Sequence, residues 1–185
     1  MRKVIFGINL SLDGCCDHTK FGGSEEVMEY FGQYLRKTDL LVYGRKTYQL
    51  MVPYWPDIAN NPSDETKAEI DFAQAFAALP MIVFSRTLEK AEGKNTRIVR
   101  GNLKEEILQL KQAPGKDILV GGVDLSSQLV ELNLVDEYCI VVHPVVVGEG
   151  RRLWDDASLQ EKLPLKLVEA TPFKSGCVAL RYVKQ

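Results

Sequence analysis

Residues 117–151 read DILVGGVDLSSQLVELNLVDEYCIVVHPVVVGEGR, and the rest of the chain can be organised around them. A short apolar run meets the glycine pair Gly121 and Gly122, three leucines then fall on one helix face, and residues 135–147 continue as a β-branched, apolar run. The pattern predicts a strand, a turn without side chains, a helix and a second strand. In α/β proteins, ligands settle at the carboxyl ends of such strands, where the amides of a helix start can meet a phosphate. We therefore predict that this turn forms half of a nucleotide site.

The overall composition bounds the class of protein. With 185 residues, of which 45% are hydrophobic and 26% charged, the sequence predicts one globular domain, residues 1–185. A net charge of −2 provides no basic field, which argues against nucleic acid as a partner. No run approaches the roughly 18 consecutive apolar residues of a membrane span. The charged start, followed by only a short apolar run, indicates a strand rather than a signal peptide.

The cysteines favour a reducing compartment. None of the four has a spacing to another that suits zinc, and the adjacent pair at positions 15 and 16 could bridge only with strain. We therefore expect reduced thiols, a cytoplasmic protein and no metal site. The four are Cys15, Cys16, Cys139 and Cys177.

Strands and helices alternate along most of the chain. Pro53 and Pro56 are expected to end a helix near Val52, which leaves residues 54–63 as a loop. The alternation, followed by a terminal hairpin, predicts an α/β fold whose sheet is mostly parallel with an antiparallel edge. The predicted strands are residues 3–11, 39–43, 81–84, 97–99, 118–120 and 135–147, with a hairpin of 165–173 and 177–183. The predicted helices follow Ser24, begin at Gly44, run from Ser63 to Ala78, and cover residues 103–110 and 125–132.

Three predicted strand ends carry groups that suit a phosphate. GRKT at 44–47 offers a glycine, two cations and a hydroxyl at a helix start, SRT at 85–87 repeats a hydroxyl and a cation, and the glycine pair lies at 121–122. Alone, each has a plainer explanation as a glycine turn with solvated basic residues or as a polar turn. Their agreement at the carboxyl ends of one sheet indicates a shared site.

The same three segments resemble a known enzyme family. YGRKTY (43–48) looks like the cofactor-binding helix start of dihydrofolate reductases. IVFSRT (82–87) resembles their next strand with its serine-bearing turn, and ILVGGVDL (118–125) resembles their double-glycine turn. The order and rough spacing of the segments also agree.

A second resemblance is at least as close. SLDG (11–14), YLRKTDLLVYG (34–44) and the stretch from 121 to 150 are similar to the C-terminal reductase domain of bacterial riboflavin-biosynthesis deaminase/reductases. The resemblance implies a dihydrofolate reductase-like three-layer α/β fold, with a mixed, mostly parallel central sheet, helices on both faces and a C-terminal antiparallel hairpin. It also implies NADPH as cofactor, a homodimer, and a small heterocyclic substrate that is either a dihydrofolate-like pteridine or a ribosylaminouracil phosphate-like pyrimidine.

The resemblance assigns roles to residues at the three strand ends. The first group would hold the pyrophosphate and 2′-phosphate region, the second the adenosine phosphate end, and the third the pyrophosphate and nicotinamide side. The cations among them favour NADPH over NADH, because a dianionic 2′-phosphate gains from charged hydrogen bonds. The groups are Gly44, Arg45, Lys46 and Thr47; Ser85 and Arg86; and Gly121, Gly122, Asp124 and Leu125.

The sequence departs from both families on the substrate side. Dihydrofolate reductases hold the pterin with a carboxylate in the first helix, and alignment on their aromatic pair puts Val27 or Met28 at that position. The deaminase half of the riboflavin enzymes is absent, and residues 28–34, MEYFGQY, lack the acid–basic–histidine pattern that precedes their Leu-Arg pair. The chain therefore resembles a stand-alone member between the two, and its substrate stays open.

Hydride transfer requires two rings held face to face and a source of a proton. Asp13 and Glu26 are the candidate acids, with a turn residue and a first-turn helix charge as the alternatives. Tyr54 and Trp55 are candidate walls of the substrate pocket, with packing beneath the proline-rich segment as the alternative. His143 is interpreted as strand packing.

Three hypotheses remain open at this level. The first is an NADPH-dependent reductase of a small heterocycle. The second is a non-catalytic NADP(H)-binding protein with a sensing or regulatory role. In the third, the glycine turns serve only the fold, and the protein has no affinity for NADPH.

Overall fold

The computed structural model describes residues 1–93, 95–155, 159 and 161–185. Strands and helices alternate from the first strand to the last hairpin. The strands are β1 Val4–Ser11, β2 Thr38–Gly44, β3 Met81–Phe84, β4 Thr96–Val99, β5 Asp117–Val120, β6 Glu137–His143, β7 Leu165–Pro172 and β8 Val178–Lys184. The helices are α1 Glu25–Lys37, α2 Arg45–Asn60, α3 Lys67–Ala77, α4 Leu103–Gln112 and α5 Val123–Glu131, with a short 3₁₀ turn at His18–Lys20.

The strands form one sheet in the order β4-β3-β2-β5-β1-β6-β8-β7. From β4 to β6 all neighbours are parallel, whereas β8 pairs antiparallel with both β6 and β7. The register places Ile5 beside Leu119 and Val42 beside Val120. This is the mixed, mostly parallel sheet with an antiparallel C-terminal hairpin that the alternation of elements predicts.

Apolar side chains cover both faces of the central strands. On one face, residues such as Phe6 and Ile118 join Ile107 of α4 and Leu129 of α5 in a continuous core. On the other face, the strands pack against α1, α2 and α3 through a second core that includes Leu41, Trp55 and Phe76. Because alternate side chains of a strand point to opposite faces, two such cores require strands that are apolar at nearly every position. The result is a three-layer α/β/α arrangement.

Two helix starts follow their sequence signals. Ser24 caps α1, with its hydroxyl accepting a hydrogen bond of 3.3 Å from the amide of Val27. Thr66 and Glu69 form a reciprocal capping box at the start of α3. Of the helices in the described part of the chain, none is both long enough and apolar enough to cross a bilayer.

The prediction that a helix ends near Val52 and that residues 54–63 form a loop is wrong. Helix α2 continues through Pro53 and Pro56 to Asn60. Each proline removes one helical hydrogen bond, at a typical cost of about 3 kcal/mol. The packing of α2 offsets this cost, because it buries a stripe of side chains against α3 and the sheet. The stripe consists of Tyr48, Val52, Trp55 and Ile58.

Candidate functional site

A cleft of 1490 Å³ opens at the carboxyl edge of the parallel strands. The ends of β2, β3 and β5 all contribute to it, so the three strand ends singled out in the sequence meet in one place. The residues that line it from the predicted set are Gly44, Arg45, Lys46, Thr47, Tyr54, Trp55, Ser85, Arg86, Gly121, Gly122, Asp124 and Leu125.

Two helices start at the cleft without a side chain over their first amides. Gly44 stands before α2 and Gly122 before α5, and neither helix has a side-chain cap. The first amides of a helix have no partner within the helix, and the helix dipole adds partial positive charge there. Both starts can therefore bind phosphate oxygens, and they can do so together because they border the same cleft.

Close packing explains the glycine pair between β5 and α5. A methyl group on Gly122 would lie 2.1 Å from Oγ1 of Thr47, and the backbone there has φ 84° and ψ 165°. A methyl group on Gly121 would lie 2.8 Å from Cε1 of Tyr43. Only glycine fits both the conformation and the space, so the starts of α2 and α5 lie side by side.

One end of the cleft is basic. Arg45 is exposed and contacts Gln49 at 3.1 Å, while Arg86 has no ion-pair partner among the described residues. The hydroxyl of Ser85 accepts a hydrogen bond of 2.9 Å from the amide of Leu88 and thereby shapes the turn that carries Arg86. These side chains can reach an anion at the ends of β2 and β3.

A further arginine at this end was missed from the sequence. Arg100 lines the cleft directly after β4, and its Nη2 donates a 2.6 Å hydrogen bond to the carbonyl of Leu88. The rule that located the other strand ends, a polar residue immediately after a parallel strand, applies equally to β4. β4 begins with Thr96 and Arg97 and so lacks the continuous apolar run that marks the other strands, which weakened that signal.

Asp124 is the one carboxylate among the described residues that line the cleft. It pairs with Lys46 at 3.6 Å and also with Arg151. These cations neutralise the carboxylate beside the glycine turn, so it presents less repulsion to a bound phosphate. Arg151 thus also belongs to the cleft lining.

The opposite part of the cleft is apolar. Trp55 is 8% exposed and packs 4.5 Å from the ring of Phe72, whereas Tyr54 is 54% exposed and meets Trp55 edge-on. Trp55 packs in the core and also lines the cleft, and its role as a wall of a substrate pocket stays a prediction. Met28 and Phe31 of α1 line the same space.

Neither predicted acid lies in the cleft lining. The carboxylate of Asp13 accepts hydrogen bonds from the Ser11 hydroxyl at 2.6 Å and from the amides of Val147 and Gly148 at 3.1 and 2.9 Å. These hydrogen bonds hold the pKa of Asp13 well below its usual value, since they stabilise the ionised form. Asp13 therefore organises loops beside the cleft, and a group that stays ionised cannot donate a proton near neutral pH.

Glu26 has a comparable structural task. Its carboxylate accepts hydrogen bonds from the amides of Lys174 and Ser175, at 3.0 and 2.9 Å, in the turn between β7 and β8. The same contacts lower the pKa of Glu26. It ties α1 to the hairpin and is, like Asp13, a poor candidate for an acid.

His143 is buried as expected of a packed strand residue, yet its ring borders the cleft. Nε2 lies 3.1 Å from Oδ1 of Asn9, Nδ1 lies 3.4 Å from Sγ of Cys177, and the ring of Phe21 packs 4.6 Å away. Burial lowers the pKa of His143, so the neutral imidazole is favoured. No sequence pattern singles out Asn9, since one asparagine in an apolar strand is not distinctive.

Comparisons with known proteins agree with this architecture. The model of the RibD C-terminal domain matches residues 2–179. The uncharacterized protein YyaP of Bacillus subtilis is 32% identical over 185 residues, which cover 98% of this chain and 94% of YyaP.

Two solved structures show the fold. A pyrimidine reductase-like protein from Corynebacterium diphtheriae has a TM-score of 0.70 at 15% identity and covers 100% of this chain and 92% of its own. A dihydrofolate reductase from Enterococcus faecalis, complexed with NADP(H) and RAB-propyl, has a TM-score of 0.63 at 15% identity, covering 99% and 96%. The fold is dihydrofolate reductase-like, and the chain belongs to the RibD C-terminal domain family.

Proposed function

We propose that the protein is an NADPH-dependent reductase that transfers a hydride to a C=N or C=O bond of a small heterocycle, either a pteridine or a pyrimidine. The observation that carries the proposal is the cleft in which two uncapped helix starts and four arginines meet an apolar wall. The proposal includes a homodimer, carried over from the resemblance, and a cytoplasmic location, carried over from the expectation of reduced thiols.

The basic end of the cleft suits a phosphorylated dinucleotide. The starts of α2 and α5 would bind the pyrophosphate through backbone amides. Arg45, Arg86 and Arg100 follow three neighbouring strands, β2, β3 and β4, and offer planar guanidinium groups to a 2′-phosphate. The structural similarity of this chain to a dihydrofolate reductase complexed with NADP(H) supports this assignment.

The apolar end suits an aromatic ring. Bound NADPH would supply the hydride. Trp55, Phe31 and Met28 would hold the substrate ring against the nicotinamide and exclude water from its faces. Because Asp13 and Glu26 hold loops in place, we propose that solvent reaching the open cleft delivers the proton.

One observation favours the second hypothesis, a protein that binds NADP(H) without turnover. No carboxylate among the described lining residues is available as a proton donor, because Asp124 is held by Lys46 and Arg151. A protein of this kind would bind NADPH and never oxidise it in the presence of pteridines or pyrimidines.

The test is a calorimetric titration with NADPH and NADH of the wild type, Arg45→Ala and Arg86→Ala. A charge-assisted hydrogen bond contributes about 1.5–3 kcal/mol, so each variant should weaken NADPH binding by roughly 10- to 100-fold and leave NADH binding nearly unchanged. Arg36→Ala is the matched control, because Arg36 is exposed at the far end of α1, outside the cleft lining. Equal affinity for the two nucleotides, or none for either, would overturn the proposal.

A further inference from the structure

The contacts of His143 define a hydrogen-bond chain with one direction. Oδ1 of Asn9 faces Nε2 at 3.1 Å, and because an amide oxygen only accepts, this contact is a hydrogen bond in the Nε2–H tautomer of the imidazole. In the neutral ring, Nδ1 is then an acceptor, and Sγ of Cys177, 3.4 Å away, can donate its thiol proton to it. The chain therefore runs from Cys177 through His143 to Asn9.

The direction of this chain decides what Asn9 presents to the cleft. Its oxygen is used by His143, which leaves the amino group Nδ2 as the outward group. Within the described residues nothing accepts a hydrogen bond from Nδ2, and Asn9 is half-buried in the cleft lining. The side chain thus directs its two amide donors to a molecule in the cleft, while its oxygen is engaged by His143.

Apolar side chains line the cleft near Asn9, and Asp124, the one carboxylate among the described lining residues, lies at the start of α5. Phe31 approaches Gly7, on the same face of β1, closely enough that a methyl group there would lie 3.2 Å from its ring. Arg86 and Arg100 follow β3 and β4, whereas Asn9 lies on β1, three and four strands away in the sheet. With adjacent strands about 4.8 Å apart, those separations are roughly 14 and 19 Å, too far for these two cations to define the ring site.

We propose that Asn9, oriented by His143, recognises a carbonyl oxygen of the substrate ring and selects oxo-heterocycles over amino-substituted ones. This inference rests on the proposed function. A ring amino group placed against Nδ2 would leave two donors facing each other in a partly buried site, whereas a ring carbonyl accepts from it. A site that donates hydrogen bonds to a carbonyl group discriminates strongly against an analogue that cannot accept them, because the buried donors are then left unpaired.

The test uses two probes with one ring system and opposite polarity, lumazine with two carbonyl groups and 2,4-diaminopteridine with two amino groups. Binding of each to the full-length protein is measured with and without saturating NADPH, by lumazine fluorescence and by calorimetry. The wild type should bind lumazine at least tenfold more tightly. Asn9→Asp should reverse the preference, because its second carboxylate oxygen accepts from amino groups, and Asn9→Leu should abolish it.

Asn102→Asp is the control, because it adds the same charge to the other end of the cleft, after β4. It should leave the lumazine preference unchanged. The inference is overturned if the wild type binds the diamino ring as tightly as lumazine, if it binds neither ring, or if Asn9→Asp leaves the ratio unaltered. A failure of NADPH binding in the same samples would instead overturn the proposed function, since ring preference is also measured without the nucleotide.

His143 acts here as a positioning residue, and it has its own readout. His143→Leu should free the Asn9 amide to rotate and reduce the lumazine preference toward that of Asn9→Leu. His143→Gln, whose amide can still donate to Asn9, should retain most of it. Nitrogen-15 NMR of the imidazole should show the Nε2–H tautomer, and the Nδ1–H tautomer would contradict the chain.

Discussion

The contact between Gly122 and Thr47 gives a quantitative prediction about how the two helix starts are held together. In Gly122→Ala, the new methyl group would occupy a backbone conformation that is essentially restricted to glycine, at a cost of about 1–3 kcal/mol. It would also lie 2.1 Å from Oγ1 and 3.1 Å from Cβ of Thr47, so rotation of the threonine side chain alone cannot relieve the overlap. Overpacking of this kind adds about 1–3 kcal/mol. We expect a total loss of about 2–6 kcal/mol in the free energy of unfolding.

Urea denaturation measures this loss, and Gly148→Ala separates its two parts. Gly148 has φ 79° and no atom within 4 Å of the added methyl group, so that variant should lose only the cost of a positive φ, about 1–2 kcal/mol. Adding Thr47→Ala to Gly122→Ala should restore part of the stability that is lost to the overlap with the threonine side chain. NADPH affinity should fall at least tenfold in Gly122→Ala, because α2 and α5 must move apart. Equal losses for the variants at 122 and 148, with NADPH affinity intact, would refute the reasoning.

Three further predictions concern stability. Phe76→Ala removes a fully buried ring between Tyr43 and Phe72 and should cost about 3–5 kcal/mol in a urea titration. Because the pKa of His143 is lowered in the folded protein, the unfolded chain takes up a proton first on acidification. The free energy of unfolding should therefore fall as the pH drops below about 6.5. In urea titrations at pH 7.5 and 5.5, His143→Gln should reduce the difference in unfolding free energy between the two pH values. Asp13→Asn should lower the melting temperature at pH 7, because the ionised carboxylate is stabilised in the folded protein. The difference in melting temperature between wild type and variant should shrink below about pH 3.9, where Asp13 of the unfolded chain becomes protonated. The shape of any pH–rate profile should not change.

The sequence was informative wherever a local pattern has one structural solution. Strands that are apolar at nearly every position must be covered on both faces, which predicts the central parallel strands. Glycines directly after such strands, together with basic residues, located one end of the cleft, and all ten residues predicted to bind the cofactor line it. This end of the cleft is formed largely by backbone amides, and the positions of glycines in the sequence indicate where the backbone is exposed.

Tertiary packing decided what local patterns could not. Two prolines argue against a helix by their own chemistry, but the buried stripe of α2 against α3 outweighs them. A carboxylate near a strand end suggests an acid, yet Asp13 meets two amides from residues more than 130 positions away in the chain. His143 and Asn9 are likewise 134 positions apart and become neighbours only because β1 pairs with β6.

Under the proposed function, the two ends of the cleft should respond differently to substitution. The proposed cofactor end is built from backbone amides and glycines at the ends of β2 and β5. The proposed substrate end is built from individual side chains, such as Met28 on α1 and Asn9 on β1. Met28 offers no acceptor to an amino-substituted ring, and in our proposal Asn9 supplies a donor for an oxo group. Substitutions at these two positions should therefore alter ring preference with little effect on NADPH affinity, whereas substitutions at the glycine turns should weaken NADPH binding and the fold together.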